Sequence, residues 1–201
     1  MANVRRILTT VIAMMAVTST GEARENDRRP SLRVHVENHA DIKASLLVGA
    51  EKEVARIYDS AGVRLVWSTP PDHEDCAATL TIHLELMSVG MEGRLAPGTR
   101  AGSKVLGQAH REARRVYVFW SRVDAHMSHT MIEVGDGLGF VIAHELGHVL
   151  LAGGHSRTGI MQENFLVQAI YAQRFTLEQA VEIRAFITGA GNQPAALDAK
   201  R

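Results

Sequence analysis

Along the chain the first clear alternation falls at Leu32, Val34 and Val36, which interleave with Arg33, His35 and Glu37. A period of two is that of a strand with one buried face, so a strand is expected from Ser31, with His35 on its solvent side. The spacing then lengthens. Leu46, Ala50, Val54, Ile57 and Ala61 recur every three or four residues, and Gly62 follows, where a left-handed residue ends a helix. Val63 to Trp67 is a short branched and aromatic run stopped by Ser68-Thr69-Pro70-Pro71, and Leu80, Ile82, Leu84 and Leu86 alternate with Thr81, His83 and Glu85. These predict a second and a third strand, the latter with His83 on the wet face. Gly90 to Gly102, with four glycines and a proline, predicts a loop. Val105 to His110 predicts a short edge strand and Val116 to Trp120 a firmer one.

The C-terminal half reads differently. Phe140 to Ala152 is apolar on every side apart from His144, Glu145 and His148, the pattern of a helix buried within a domain, opening near Gly137. Further on, Thr176 and Gln179 form a capping box, and Leu177, Ala180, Ile183 and Ile187 give a last helix its buried face. The element order predicts one α+β domain over residues 31–188. A mixed twisted sheet carries packed helices, followed by the buried helix and the C-terminal helix. Residues 189–201 read as a flexible tail.

Composition narrows the function. Lys and Arg number 22 and so do Asp and Glu, so the formal net charge is zero and nothing recommends nucleic acid as a partner. Cys76 is the single cysteine, which excludes a disulfide scaffold and a four-thiolate zinc module. Met1 to Arg6 carry two arginines, Ile7 to Thr20 are mostly apolar, and Gly21-Glu22-Ala23 sets small residues at a cleavage position. Residues 1–23 therefore read as a signal peptide for an exported, periplasmic or extracellular protein, with residues 24–30 a flexible leader. The apolar stretch is about 14 residues, short of the roughly 20 a spanning helix needs, and no later segment anchors the chain.

The ten histidines carry what chemistry the composition offers. Two imidazoles and a carboxylate buried without partners would cost several kcal/mol, and a cation satisfies all three. His144 and His148, four apart on a helix, aim at one ion, with Glu145 beside them toward an open coordination position. A catalytic zinc takes three protein donors, and His155 is the obvious third. The helix is expected to run out at Gly153-Gly154, where a left-handed turn brings His155 back under the pair. Asp124, His126 and His129, in a polar stretch after a strand, read as solvated loop residues, and His39, His73 and His110 carry no spacing signal.

His144-Glu145-Leu146-Gly147-His148, then Gly153-Gly154-His155-Ser156, then Gly159-Ile160-Met161, resembles the active site of the metzincin zinc endopeptidases, a branch of the zincins. The likeness covers about residues 136–161. It implies zinc on His144, His148 and His155, Glu145 as general base, Met161 in the turn beneath the ligands, and hydrolysis of peptide bonds in peptide or protein substrates by activated water. It also implies a zincin-like fold in which an edge strand, here Val105 to His110, pairs with extended substrate. The spacing departs from the family's. Leu151 stands at its glycine position, and six residues rather than five separate His148 from His155, so a slightly longer helix with Gly153 at the turn is expected.

Two other readings stand beside this one. A gluzincin-type peptidase would take its third ligand from a downstream carboxylate, with Glu163, Glu178 and Glu182 available. A non-catalytic zinc module of zincin fold would use the ion structurally or for interaction, although a structural site fills all four positions and has no use for Glu145.

Overall fold

The computed structural model describes residues 29–69, 79–95, 105–163 and 171–190. The expected signal peptide, most of the leader, Cys76, His73 and the tail from residue 191 lie outside the described residues.

The elements follow in the order β1 (Ser31–Asn38), α1 (Ala44–Ser60), β2 (Arg64–Ser68), β3 (Leu80–Met87), α2 (Val89–Leu95), β4 (Gly107–His110), β5 (Arg115–Phe119), α3 (Trp120–Met127), α4 (Val134–Leu150) and α5 (Leu177–Ala190). The fold is α+β, with a mixed five-stranded sheet in the order β2-β1-β3-β5-β4. β1, β2, β3 and β5 run parallel, and β4 closes one edge antiparallel to β5.

Register explains why the sheet holds together. Leu32 pairs with Leu80, Val34 with Ile82 and Val36 with Leu84, while Leu84 and Leu86 pair with Val116 and Val118. Alternation in each strand therefore stacks branched side chains on one face, where neighbouring pairs pack together. Against that face lie α1, through Ala50, Val54 and Ile57, and α4, through Leu138, Ile142, Leu146 and Val149, all in one buried core. His35 and His83 fall on the opposite face, as their alternation predicts, though both are half-buried.

Three elements depart from expectation. The segment expected as a loop from Gly90 begins with α2. Its first turn rests on the Ser88 carbonyl, which accepts from the Met91 and Glu92 amides. Glu92 is buried and accepts from both the amide and the hydroxyl of Ser121, with the Arg122 guanidinium at 3.3 Å. A contact from 29 residues away thus outweighs the poor helix propensity of Gly90 and Gly93. Residues 96–104 of that expected loop lie outside the described residues.

The second departure is α3, which begins at Trp120, where a strand was expected to end. Val123 and Met127 are buried four residues apart, which makes the segment an amphipathic helix. Asp124 and His126 are exposed on it rather than in a loop, and His129 is exposed beyond it.

The third concerns the limits of α4. It starts at Val134, ahead of Gly137, because its glycines serve close packing. A Cβ built on Gly139 would stand 2.6 Å from the Ala50 carbonyl oxygen and 3.0 Å from the Ala50 Cα. Only glycine lets α1 and α4 approach so closely, and that burial carries a helix that propensity alone would not.

Candidate metal centre

α4 presents His144, Glu145 and His148 near its C-terminal end. Position four on a helix shares a face with position zero, and the two imidazoles meet there. Their Nε2 atoms lie 3.1 Å apart, with ring centroids at 4.7 Å and planes at 81°. Two nitrogens bound at about 2.0–2.1 Å to one tetrahedral ion would be roughly 3.3 Å apart, so this pair is spaced as co-ligands.

His155 joins them. Its ring lies 5.4 Å from that of His144 and 4.9 Å from that of His148, and the donor atoms of the three all fall within 4.8 Å of one another. The chain reaches this point by a different path from the expected glycine turn. α4 ends at Leu150, and its cap Leu151 is extended (φ −98°, ψ 138°) with its amide still bonded to the Gly147 carbonyl. Neither Gly153 nor Gly154 has positive φ. Leu151 is buried, which pins the exit from the helix, and the Ala152 amide donates to the Glu182 carboxylate of α5 at 2.5 Å. Together these turn the chain without a left-handed residue.

Beneath the histidines, residues 156–161 fold into a tight turn. The Ser156 amide donates to the Met161 carbonyl at 2.7 Å, the Ile160 amide to the Arg174 carbonyl at 2.9 Å, and Gly159 takes φ 76° where a Cβ would strike the Arg174 oxygen. Met161 is fully buried, its sulfur 2.5 Å from where a Cβ on Gly147 would stand. Thioether and glycine are thus matched surfaces, one filling the space the other leaves. The same turn orients His144. His144 Nδ1 donates to the Ile160 carbonyl at 2.8 Å, which leaves the Nε2 lone pair free to coordinate.

The protonation states suit metal binding. Burial, then the neighbouring His144 and His155, pulls His148 down to about 4. His144 is also lowered, by burial foremost, against the upward pull of the Ile160 carbonyl. Both imidazoles are neutral at pH 7, the form that ligates. Glu145 is 8% exposed, and burial raises its carboxyl to about 7. The donor set, its spacing and the fixed tautomer of His144 fit a zinc-type ion.

Sequence reasoning missed the wall that holds Glu145. A Cβ on Gly107, the first residue of β4, would stand 2.6 Å from Glu145 Cγ and 2.9 Å from Oε1, so the edge strand runs directly against the carboxylate. A glycine opening a short strand was the available signal. Tyr58 was missed too. Its buried hydroxyl donates to the Ala143 carbonyl at 3.2 Å, one residue before the first histidine, and its ring meets Phe175 edge-on.

The downstream carboxylates are engaged elsewhere or face solvent. Glu182 holds the Ala152 amide, Glu178 lies in the first turn of α5 and Glu163 is exposed. The capping box at Thr176 and Gln179 is present in both directions, at 2.9 and 3.3 Å.

No protein-family model matches the chain, and no curated protein matches it. Solved structures do. A zinc-dependent peptidase from Methanocorpusculum labreanum superposes with a TM-score of 0.47 at 12% identity, covering 76% of this chain and 99% of that one. The archaemetzincin of Methanopyrus kandleri superposes with a TM-score of 0.44 at 14% identity, covering 82% of this chain and 98% of that one.

Proposed function

We propose that the chain is a zinc-dependent metallopeptidase of metzincin type, with His144, His148 and His155 as ligands, Met161 as the floor beneath them and Glu145 as general base. The observation that carries this reading is the coincidence of three converging imidazole donors with a buried carboxylate on the helix that supplies two of them. When bound, zinc supplies a Lewis acid that lowers the pKa of water toward about 7 and polarises a substrate carbonyl.

The remaining work falls to the chain. Glu145 accepts the proton of the attacking water and delivers it to the departing amine, a shuttle that needs a carboxyl able to hold either state near neutral pH. In the metal-free chain, burial raises its carboxyl to about 7. Gly107 keeps the carboxylate's position clear, and the outer edge of β4 has no strand partner among the described residues. An extended peptide adding to that edge would lie alongside Glu145, with backbone hydrogen bonds supplying affinity. Peptide or protein is therefore the proposed substrate class. The signal-like residues 1–23 support export to a periplasmic or extracellular compartment, and no helix among the described residues is long and apolar enough to cross a membrane.

His155 rather than a downstream glutamate is the third ligand in this reading, because Glu182 is committed to the Ala152 amide. The test is cleavage of a peptide library by the zinc-loaded chain and by Glu145→Gln. The variant should keep its zinc and lose turnover by about 10²–10⁴-fold, the range for removing a general base. A wild type that binds zinc without cleaving any peptide supports the non-catalytic module instead, and an active Glu145→Gln chain overturns the base assignment.

A further inference from the structure

The sheet face turned away from α1 and α4 carries a second group of donor side chains. His35 and Glu37 stand two apart on β1 and so share a face, and His83 on β3 is the register partner of His35. A ring nitrogen of each histidine and a carboxylate oxygen of Glu37 lie within 4.8 Å of one another. The two rings meet edge-on with centroids 5.5 Å apart, and all three residues are half-buried. Ser68 on β2 stands 3.2 Å from His35 Nδ1 and fixes that ring's orientation.

We propose that His35, Glu37 and His83 form a second site for a divalent transition-metal ion, bridging β1 and β3 and separate from the histidines of α4. Two imidazoles and one carboxylate are a donor set that suits zinc and its first-row neighbours. The backbone under the donors is already held in a hydrogen-bonded ladder, so binding orders side chains only. Drawing donors from within 4.8 Å to the roughly 3.3 Å of a shared ion takes small rotations of three half-buried side chains.

The surrounding charges permit a cation. Arg115 is ion-paired to Glu85, and His39 lies 3.3 Å from Glu37 and 3.9 Å from Glu85. His83 is held down by burial first, then by Arg115 and His35, against the opposite pull of Glu37 and Glu85, so its lone pair is available at neutral pH.

The experiment is zinc per chain at saturation, by equilibrium dialysis of the tag-free full chain. Wild type should hold two, and a His144→Ala/His148→Ala chain should hold one, which reads the sheet-face site whatever the α4 histidines do. His35→Gln/His83→Gln in that background should hold none, and Glu37→Gln should weaken the remaining site at least tenfold. Zinc should also raise the melting temperature of the His144→Ala/His148→Ala chain and leave that of the fourfold variant unchanged, with each variant's fold checked by circular dichroism in chelator. A His144→Ala/His148→Ala chain that takes up no zinc, or a fourfold variant that still binds one, overturns the proposal.

Discussion

Gly107 and Glu145 constrain each other, although they stand 38 positions apart in the chain. The glycine has no Cβ because the glutamate's Cγ and Oε1 occupy that space, at 2.6 and 2.9 Å. A Gly107→Val chain must therefore swing the carboxylate away from its resting place. Misplacing a reacting group by about 1 Å costs on the order of 10²-fold in rate. Peptide cleavage by Gly107→Val should fall by that order while zinc content stays at the wild-type value, and an unchanged rate would show that Glu145 does not act from this position. The histidines depend on neighbours in the same way. The carbonyl of Ile160 sets the tautomer of His144, and the hydroxyl of Tyr58 braces the carbonyl just before it.

At the scale of elements, the small-residue seam between α1 and α4 sets how deeply the histidines sit. Gly139→Ala places a methyl 2.6 Å from the Ala50 oxygen, a backbone atom that yields only if the helices part. Overpacking of this kind costs about 1–3 kcal/mol. Urea unfolding of Gly139→Ala in chelator should show a loss of that size, and a variant as stable as wild type would mean that the two helices are not in close contact. This seam also marks where sequence was legible and where it was not. β1, β3, α1 and α5 could be read directly, because each has one apolar face of clean period. α2, α3 and the start of α4 could not, because what stabilises them lies far along the chain. Glu92 reaches Ser121 and Arg122, and Gly135 and Gly139 of α4 fit against Leu46 and Ala50 of α1. The positions of His144, Glu145 and His148 followed from helical spacing alone. His155 was placed beside them by sequence too, but by the wrong turn. Buried Leu151 and the Glu182 carboxylate steer the chain, and neither advertises itself in a local pattern.

For the whole molecule, an ion held by all three histidines would add a further tie between α4 and the segment that follows it. His144 and His148 belong to a helix sealed in the core, whereas His155 is exposed and follows a stretch without regular secondary structure. A metal that needs all three anchors residues 151–161 to α4, and binding to the folded state alone raises stability by mass action. Chelation should therefore lower the melting temperature and increase amide hydrogen exchange across residues 151–161, with little change in β1 and β3 of a chain whose sheet-face donors are substituted. Exchange that is indifferent to metal in that loop would mean His155 stays out of the coordination sphere.

The most direct measurement is anomalous diffraction at the zinc edge from crystals of the zinc-loaded chain. The prediction is a peak within about 2.0–2.1 Å of a ring nitrogen from each of His144, His148 and His155, with one further coordination position facing Glu145. A peak bound by His144 and His148 but supplied with its third protein ligand by anything other than His155, or no peak at α4, would contradict the account.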